Sequence, residues 1–491
     1  MTGNGSDKDI TFVDTTLRDG NLSLWASNMT TGMMLPILDN IGEAGFIAME
    51  LMSGAFFKKM VRELKDDPYD RVRMVRERLP DMPLRLIAGR MNTFGYDPPV
   101  LYPLFQKVVA DAGIDQVRIS DPWNTPEGII RRAKAVRDAG QTPILNMIFS
   151  VSPRHTDEYF AERTRAIAHL GEVICFKDPG GLLAPERTRT LAPIILEAAG
   201  DCTVEFHTHC TTGLGPQCVL EAVKAGIRIV NTAIPPLSDA SSNPSIFNVG
   251  ENLRALGYNT LIDEEKLHPV TPHFTYIAKR HGFAIGREAE YNEAQYVHQV
   301  PGGMISNMRF QLEKVGKGDR LQEAMDETAR VRAELGYPIM VTPLSQFVGT
   351  QASINVMVGE RYGQVTDQVI EYAMGRWGEE ATEAMDQNIR DRILDRPRAK
   401  EIAAQELPDP TLDEIRQEVG GANLSDEDLI LTYLTSPDDV AAMRAAGPQK
   451  PYPTSSEPLV ELIAGLVTHG DCGHISVQKG DISVFLAKRS A

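Results

Sequence analysis

The sequence predicts a (β/α)8 barrel followed by an α-rich second domain, and three observations predict it. Eight short β-rich runs start 24–38 residues apart, each followed by a stretch of helical apolar periodicity. Glycines close several of the intervening helices just before the next strand, in GEAGF, DAGID and KAGIR. The turn after the first strand, DTTLRDGNLS, carries no GxGxxG phosphate loop, which counts against a doubly wound open sheet.

The expected strands are Ile10–Thr16, Phe46–Leu51, Leu84–Gly89, Gln116–Pro122, Pro143–Ser150, Val173–Lys177, Thr203–His209 and Ile227–Ile234. After about residue 270 the pattern changes. Helical stretches dominate, two of them charge-rich (Arg320–Leu335 and Glu379–Asp395), broken by the turn-like segments VPGGM and VTPLS. The Pro-rich segment GPQKPYPTSSEP (447–458) reads as a linker. Beyond it Leu459–His469 reads as a helix and His474–Leu486 as a hairpin turning at Lys479-Gly480. The expected division is therefore a barrel over 1–270, a helical domain over 271–447, and a linker with a short tail over 448–491.

Composition narrows the function. The chain has 491 residues and a formal charge of −17, which disfavours a nucleic-acid or anionic-membrane surface as main partner. Apolar residues make up 42 %, enough for a large core, and no run is long enough to span a membrane. The start MTGNGSDKD is polar and lacks a signal-peptide apolar segment, so a cytoplasmic protein is expected. Five cysteines, an odd number without a CxxC, do not read as a disulfide framework or a zinc knuckle.

Barrel enzymes place their chemistry at the C-terminal ends of the strands. Asp19 follows the first strand, Lys177 ends the sixth, and His207 and His209 end the seventh. His-Thr-His sets two imidazoles on one face of a strand, and two imidazoles with a carboxylate suit Zn, Mn, Co or Fe(II). Each feature has a plainer reading: a packed histidine pair, a helix cap for Asp19, a salt bridge from Lys177 to Asp178. Asp14, within the strand, reads as a barrel brace. The coincidence of ligand types on neighbouring strand ends favours the metal site. An ammonium cannot bind a metal, so a lysine there is either neutral or carbamylated by CO2 into an anionic oxygen ligand.

Six motifs carry a resemblance: DTTLRDGNLSLWASNM (14–29), FKDPGGLLAPE (176–186), FHTHCTTGLG (206–215), VPGGMISNM (300–308), VTPLSQFVGTQASINVMVGERY (341–362) and LSDEDLILTYL (424–434). They resemble the biotin-dependent carboxyltransferases, the family that includes oxaloacetate decarboxylase α, the pyruvate-carboxylating component of transcarboxylase and the corresponding component of pyruvate carboxylase. The resemblance implies a barrel with a helical funnel domain at its mouth, dimerising through the barrel. It also implies a divalent metal (Zn, Mn or Co) held by Asp19, His207, His209 and a carbamylated Lys177. Carboxybiotin would release CO2 there to an enolate. The Ser306 hydroxyl of the PGG-x-x-[ST] motif would carry a proton between the acceptor carbon and the biotin ureido nitrogen, and Arg18 would polarise the acceptor carbonyl. Ser306 equally suits a helix N-cap, and the two roles are compatible.

The sequence also departs from the family. Leu22 stands where pyruvate-handling members carry a Gln that bonds the keto acid. Gly89 stands where they carry an Arg that grips its carboxylate, with Arg90 one place along in a stretch ending at Asn92. MELMSGAFF replaces a Trp-Gly-Gly sequence. The acceptor is therefore expected to be pyruvate-like but altered: another enolisable acid, amide or ketone. No biotinyl-lysine motif and no ATP-grasp loop occur, so a biotin carboxyl carrier protein and a biotin carboxylase subunit would act in trans; the tail reads as an assembly remnant or docking element for the carrier, and equally as a simple surface hairpin. Two other readings compete. One is a biotin-independent aldolase, lyase or decarboxylase on the same barrel, which Gly20 favours but which Cys210-Thr211-Thr212 and VTPLSQFVGTQA disfavour. The other is a non-catalytic scaffold, which would have lost a ligand or Ser306.

Overall fold

The computed structural model describes residues 7–89, 91, 97–300, 305, 308–309, 312–405, 407–452, 474–480 and 482–487. The barrel strands are β1 (Asp9–Asp14), β2 (Ala48–Ser53), β3 (Leu84–Ala88), β4 (Gln116–Ile119), β5 (Thr142–Ile148), β6 (Val173–Asp178), β7 (Thr203–Thr208) and β8 (Ile229–Thr232). All neighbours are parallel, and β1 pairs with both β2 and β8, which closes the ring. A two-residue strand, β9 (Asn259–Thr260), adds to the start of β1. Most of the expected runs overshoot their strand at the C-terminal end, because the last residues leave the ladder to build the rim.

The helices between the strands follow from apolar spacing. In Leu101–Ala112 the buried residues Leu101, Leu104, Phe105, Val108, Val109 and Ala112 form one stripe, and the helix stops at Gly113. Along each strand the outward residues, such as Val204 and Phe206, meet these helices, while their neighbours point into the barrel. The interior is unusually polar. Arg85 pairs with Glu205 at 2.9 Å, and Arg118 pairs with Glu205, with Asn231 and, at 2.6 Å, with Glu50. These groups are buried and mutually neutralised, the condition under which charge is tolerated in a core.

The apolar residues form two cores. The first is the barrel's, and it takes in Val270–His281 and the late helices Leu412–Val419, Asp426–Leu434 and Pro437–Ala446. The second is built from 300 to 402 and joined by Trp123 from the barrel rim. The helical block expected over 271–447 is thus shared between the two, because its last helices carry apolar faces and charges complementary to the barrel's outer helices. Arg62 meets Asp439 at 2.9 Å, Arg73 meets Glu427, and Arg444 meets Asp67.

Part of the expected linker lies against the barrel: Tyr452 N–H donates to the Gly32 carbonyl at 2.8 Å. The expected hairpin is present as β10 (His474–Lys479) and β11 (Ile482–Ala487), antiparallel. The expected helix Leu459–His469 falls outside the described residues. Among the described residues no helix is long and apolar enough to cross a membrane.

Candidate active site

The chain leaves β1 in a tight turn, Thr16–Gly20, whose five residues are all buried. Gly20 is required there, since a Cβ would lie 2.5 Å from the Leu237 carbonyl oxygen. This close approach of the β1 and β8 loops aims Arg18 and Asp19 at the barrel axis. On the opposite side, Gly181 has φ +62° and its missing Cβ would sit 2.9 Å from the His209 carbonyl oxygen, locking the loop after β6 onto the end of β7.

Asp19 Oδ2 lies 3.1 Å from His207 Nε2 and 3.4 Å from His209 Nε2, and ligand atoms of all three residues fall within 4.8 Å of one another. The other ring nitrogen sets the tautomer of His209, whose Nδ1 donates to the Ser241 carbonyl at 2.7 Å. His207 is held at both ring nitrogens, Nδ1 lying 3.0 Å from Asn231 Oδ1 and 3.1 Å from Arg118 Nη1, and Nε2 3.2 Å from Asn243 Nδ2. Both Nε2 atoms face a carboxylate oxygen. Burial, with Lys177 nearby, pushes His207 down to about 3, so its ring is neutral in ordinary buffers. Burial raises Asp19, but Arg18 and His209 overcome it and hold the carboxyl well below its usual range. Two imidazole nitrogens and a carboxylate oxygen this close together are a donor set that fits a divalent cation.

Lys177 sits opposite His207 in the β6–β7 register and lines the same cavity. Burial, reinforced by Arg18, lowers its ammonium to about 8, closer to the neutral amine that CO2 attacks. The plainer reading of Lys177 as the partner of Asp178 does not hold. Asp178 accepts from Leu182 N, Leu183 N and Thr208 Oγ1 at 2.8–3.0 Å, on the other side of the strand. Nor is Asp19 a cap, since the following helix Asn21–Trp25 takes no side-chain cap bond. Asp14 accepts from Thr16 N and Oγ1, and burial raises it to about 7, consistent with a brace.

Arg18 donates through Nε to Glu50 Oε2 at 2.7 Å and also meets Asp19 Oδ2 at 2.9 Å. Sequence reasoning missed Glu50. Its signal was a lone carboxylate in an otherwise apolar strand, which only a buried cation explains. Burial pushes Glu50 up, and Arg118 and Arg18 more than reverse it, to about 2. Asn231 and the Ser241 carbonyl, which orient the histidines, were missed as well, and no local sequence signal marks them.

A cavity of about 1170 Å³ opens above this cluster. Its floor includes Arg18, Asp19, Lys177 and His209; its outer wall combines barrel loops with second-core residues such as Met340, Pro343 and Trp377. Leu22 and Gly89 line it as expected. Arg90, Asn92 and Ser306 fall outside the described residues.

Comparison with known proteins converges with this geometry. Residues 296–479 match the conserved carboxylase domain family. The chain is 32 % identical over 455 residues to a pyruvate carboxylase subunit of Methanocaldococcus jannaschii, covering 91 % of this chain and 80 % of that one. It is 30 % identical to the methylmalonyl-CoA carboxyltransferase 5S subunit of Propionibacterium freudenreichii subsp. shermanii, covering 90 % and 89 %. It is 31 % identical to the 2-oxoglutarate carboxylase large subunit of Hydrogenobacter thermophilus, covering 94 % and 73 %. The fold is that of the carboxyl transferase domain of Rhizobium etli pyruvate carboxylase with oxamate and biotin: TM-score 0.80 and 23 % identity, over 89 % of this chain and 78 % of that chain.

Proposed function

This chain belongs to the biotin-dependent carboxyltransferases, and from that premise we propose that it moves a carboxyl group between carboxybiotin on a separate carrier protein and a small enolisable acceptor. The observation that carries the reading is the convergence of Asp19, His207 and His209, with Asp19, His209 and Arg18 on the floor of one cavity and His207 buried directly beneath it. Asp19, His207, His209 and a carbamylated Lys177 hold the divalent ion. When bound, that ion supplies Lewis-acid polarisation of the acceptor's carbonyl.

The chain's own residues do the rest. Arg18, fixed by Glu50, presents its guanidinium to the oxygen on which enolate charge develops. The Ser306 hydroxyl passes a proton between the acceptor carbon and the biotin ureido nitrogen, since a hydroxyl both donates and accepts. Second-core residues over the barrel mouth keep water from the CO2 released there. Leu22 and Gly89 shape the acceptor site, so the acceptor differs from pyruvate.

The protein works as a homodimer in a cytoplasmic complex with a biotin carboxyl carrier protein and a biotin carboxylase, the tail serving to dock the carrier. The test is transfer of 14C from carboxybiotin into acid-stable product over a panel of acceptors, with pull-down of biotinylated partners. Failure to label any acceptor, with no partner captured, sinks the reading.

A further inference from the structure

On the side of β2, β3 and β5 the cavity is lined by hydrocarbon side chains, with the hydroxyls of Ser53 and Ser120 beside them. Leu22 stands one turn after Asp19, Ala55 and Phe56 follow β2, Ile87 comes from β3 and Ile148 from β5. Gly89, next along the wall from Ile87, adds no side chain, and among the described residues a Cβ there meets nothing within 4 Å. Among the described residues the cations at this depth are Arg18 and Lys177. Arg18 is already bonded to Glu50 and Asp19, and Lys177 is the group assigned to the carbamate. Of the other arginines of the cavity, Arg131, Arg132 and Arg163 stand on helices and Arg376 in a turn; Arg132 pairs with Asp121 and Arg163 with Glu380, each at 2.9 Å, and Arg376 with Glu371.

Burying a carboxylate against such a wall without its own cation costs several kcal/mol, whereas a hydrocarbon substituent gains roughly 25 cal/mol per Å² removed from water. We propose that the acceptor is a neutral carbonyl compound, a ketone or amide, whose hydrocarbon substituent lies against Leu22 and fills the space at Gly89. The inference rests on the carboxyl-transfer reading and names its substrate class. The step balances without a redox partner. The N–C bond of carboxybiotin breaks and the acceptor's α-carbon forms a new C–C bond to the released CO2. The α-proton goes to the ureido nitrogen, giving biotin and a β-oxo carboxylate (from an amide, a β-amido carboxylate).

The test compares 2-butanone and propionamide with pyruvate as acceptors of 14C from free carboxybiotin, with the purified full chain. Pyruvate and 2-butanone present the same carbonyl with a carboxylate or an ethyl group beside it. The wild type is expected to favour a neutral acceptor in kcat/KM by about tenfold or more, and the double variant Leu22→Gln, Gly89→Arg to shift the preference toward pyruvate by a similar factor. Circular dichroism and metal content of the variant establish that it folds. Wild-type preference for pyruvate overturns the inference while leaving carboxyl transfer standing. A pyruvate preference abolished by Arg90→Gln does the same and assigns the carboxylate grip to that side chain. Label in no acceptor, with no acceptor-dependent loss of carboxybiotin, overturns both.

Discussion

The Glu50 carboxylate holds Arg18 through Nε at 2.7 Å with one oxygen and pairs with Arg118 Nη1 at 2.6 Å with the other. Arg118 in turn bonds Asn231, whose amide oxygen lies 3.0 Å from His207 Nδ1. One buried carboxylate therefore fixes the proposed enolate-stabilising cation and, through two further contacts, the orientation of a candidate metal ligand. Glu50→Gln keeps the shape and removes the charge. It is expected to lower kcat by about 100-fold with a smaller change in KM, and to cost about 3 kcal/mol in urea unfolding, as expected when one partner of a buried pair is lost. Unchanged kcat in a folded variant would show that Arg18 needs no anchor.

Metal retention should follow the three converging donors. Asp19→Asn, His207→Ala and His209→Ala are each expected to reduce bound divalent metal at least about tenfold, read by elemental analysis of the purified protein. Chelation should lower the wild type's thermal midpoint and leave that of Asp19→Asn nearly unchanged. Equal metal content in all four proteins removes the site.

Lys177 carries a separate expectation. Wild-type protein equilibrated with 13C-bicarbonate should show a carbamate carbon resonance that is absent from Lys177→Ala. Lys177→Arg should also lack it, because a guanidinium stays protonated and does not add CO2. A carbamate signal that survives in Lys177→Ala assigns it elsewhere.

Acid stability should depend on His155, at the junction of the two cores. Burial, reinforced by Arg332 and Arg154, lowers it from 6.5 to about 3. The unfolded chain then binds a proton that the native state refuses, so stability is intact above 6.5 and falls as the pH drops toward 3. Between about pH 7.5 and about pH 5 this amounts to about 2 kcal/mol. His155→Gln should flatten that part of the urea-stability profile. An unchanged slope would place the acid sensitivity in another group.

Gly20→Ala should be destabilising by about 1–3 kcal/mol and should loosen metal binding, because its Cβ collides with backbone and not with a side chain free to move. Leu237→Ala should not rescue it, since the clashing atom is the Leu237 carbonyl oxygen.

The strand–helix period, the His-Thr-His pair, the Arg-Asp turn and the lysine at the end of β6 were all legible in the chain, and so was the family. Local signals sufficed because strand periodicity, glycine punctuation and ligand spacing are written into adjacent residues. Glu50 was not legible as a site residue, for its partner Arg18 is 32 positions away and only barrel closure brings them together. The orientations of His207 and His209 were equally hidden, being held by Arg118 and Asn231 on other strands and by the Ser241 carbonyl on a distant loop. The division of the helical region was decided by packing as well: the helices of 412–446 complete the barrel's core because burying their apolar faces there removes more surface from water than exposure would. The sequence by itself determined the barrel, the candidate ligands and their places on the rim. Tertiary structure alone decided which charges neutralise one another inside, and that hydrocarbon side chains from several strands gather beside the site, because both depend on contacts between residues far apart in the chain.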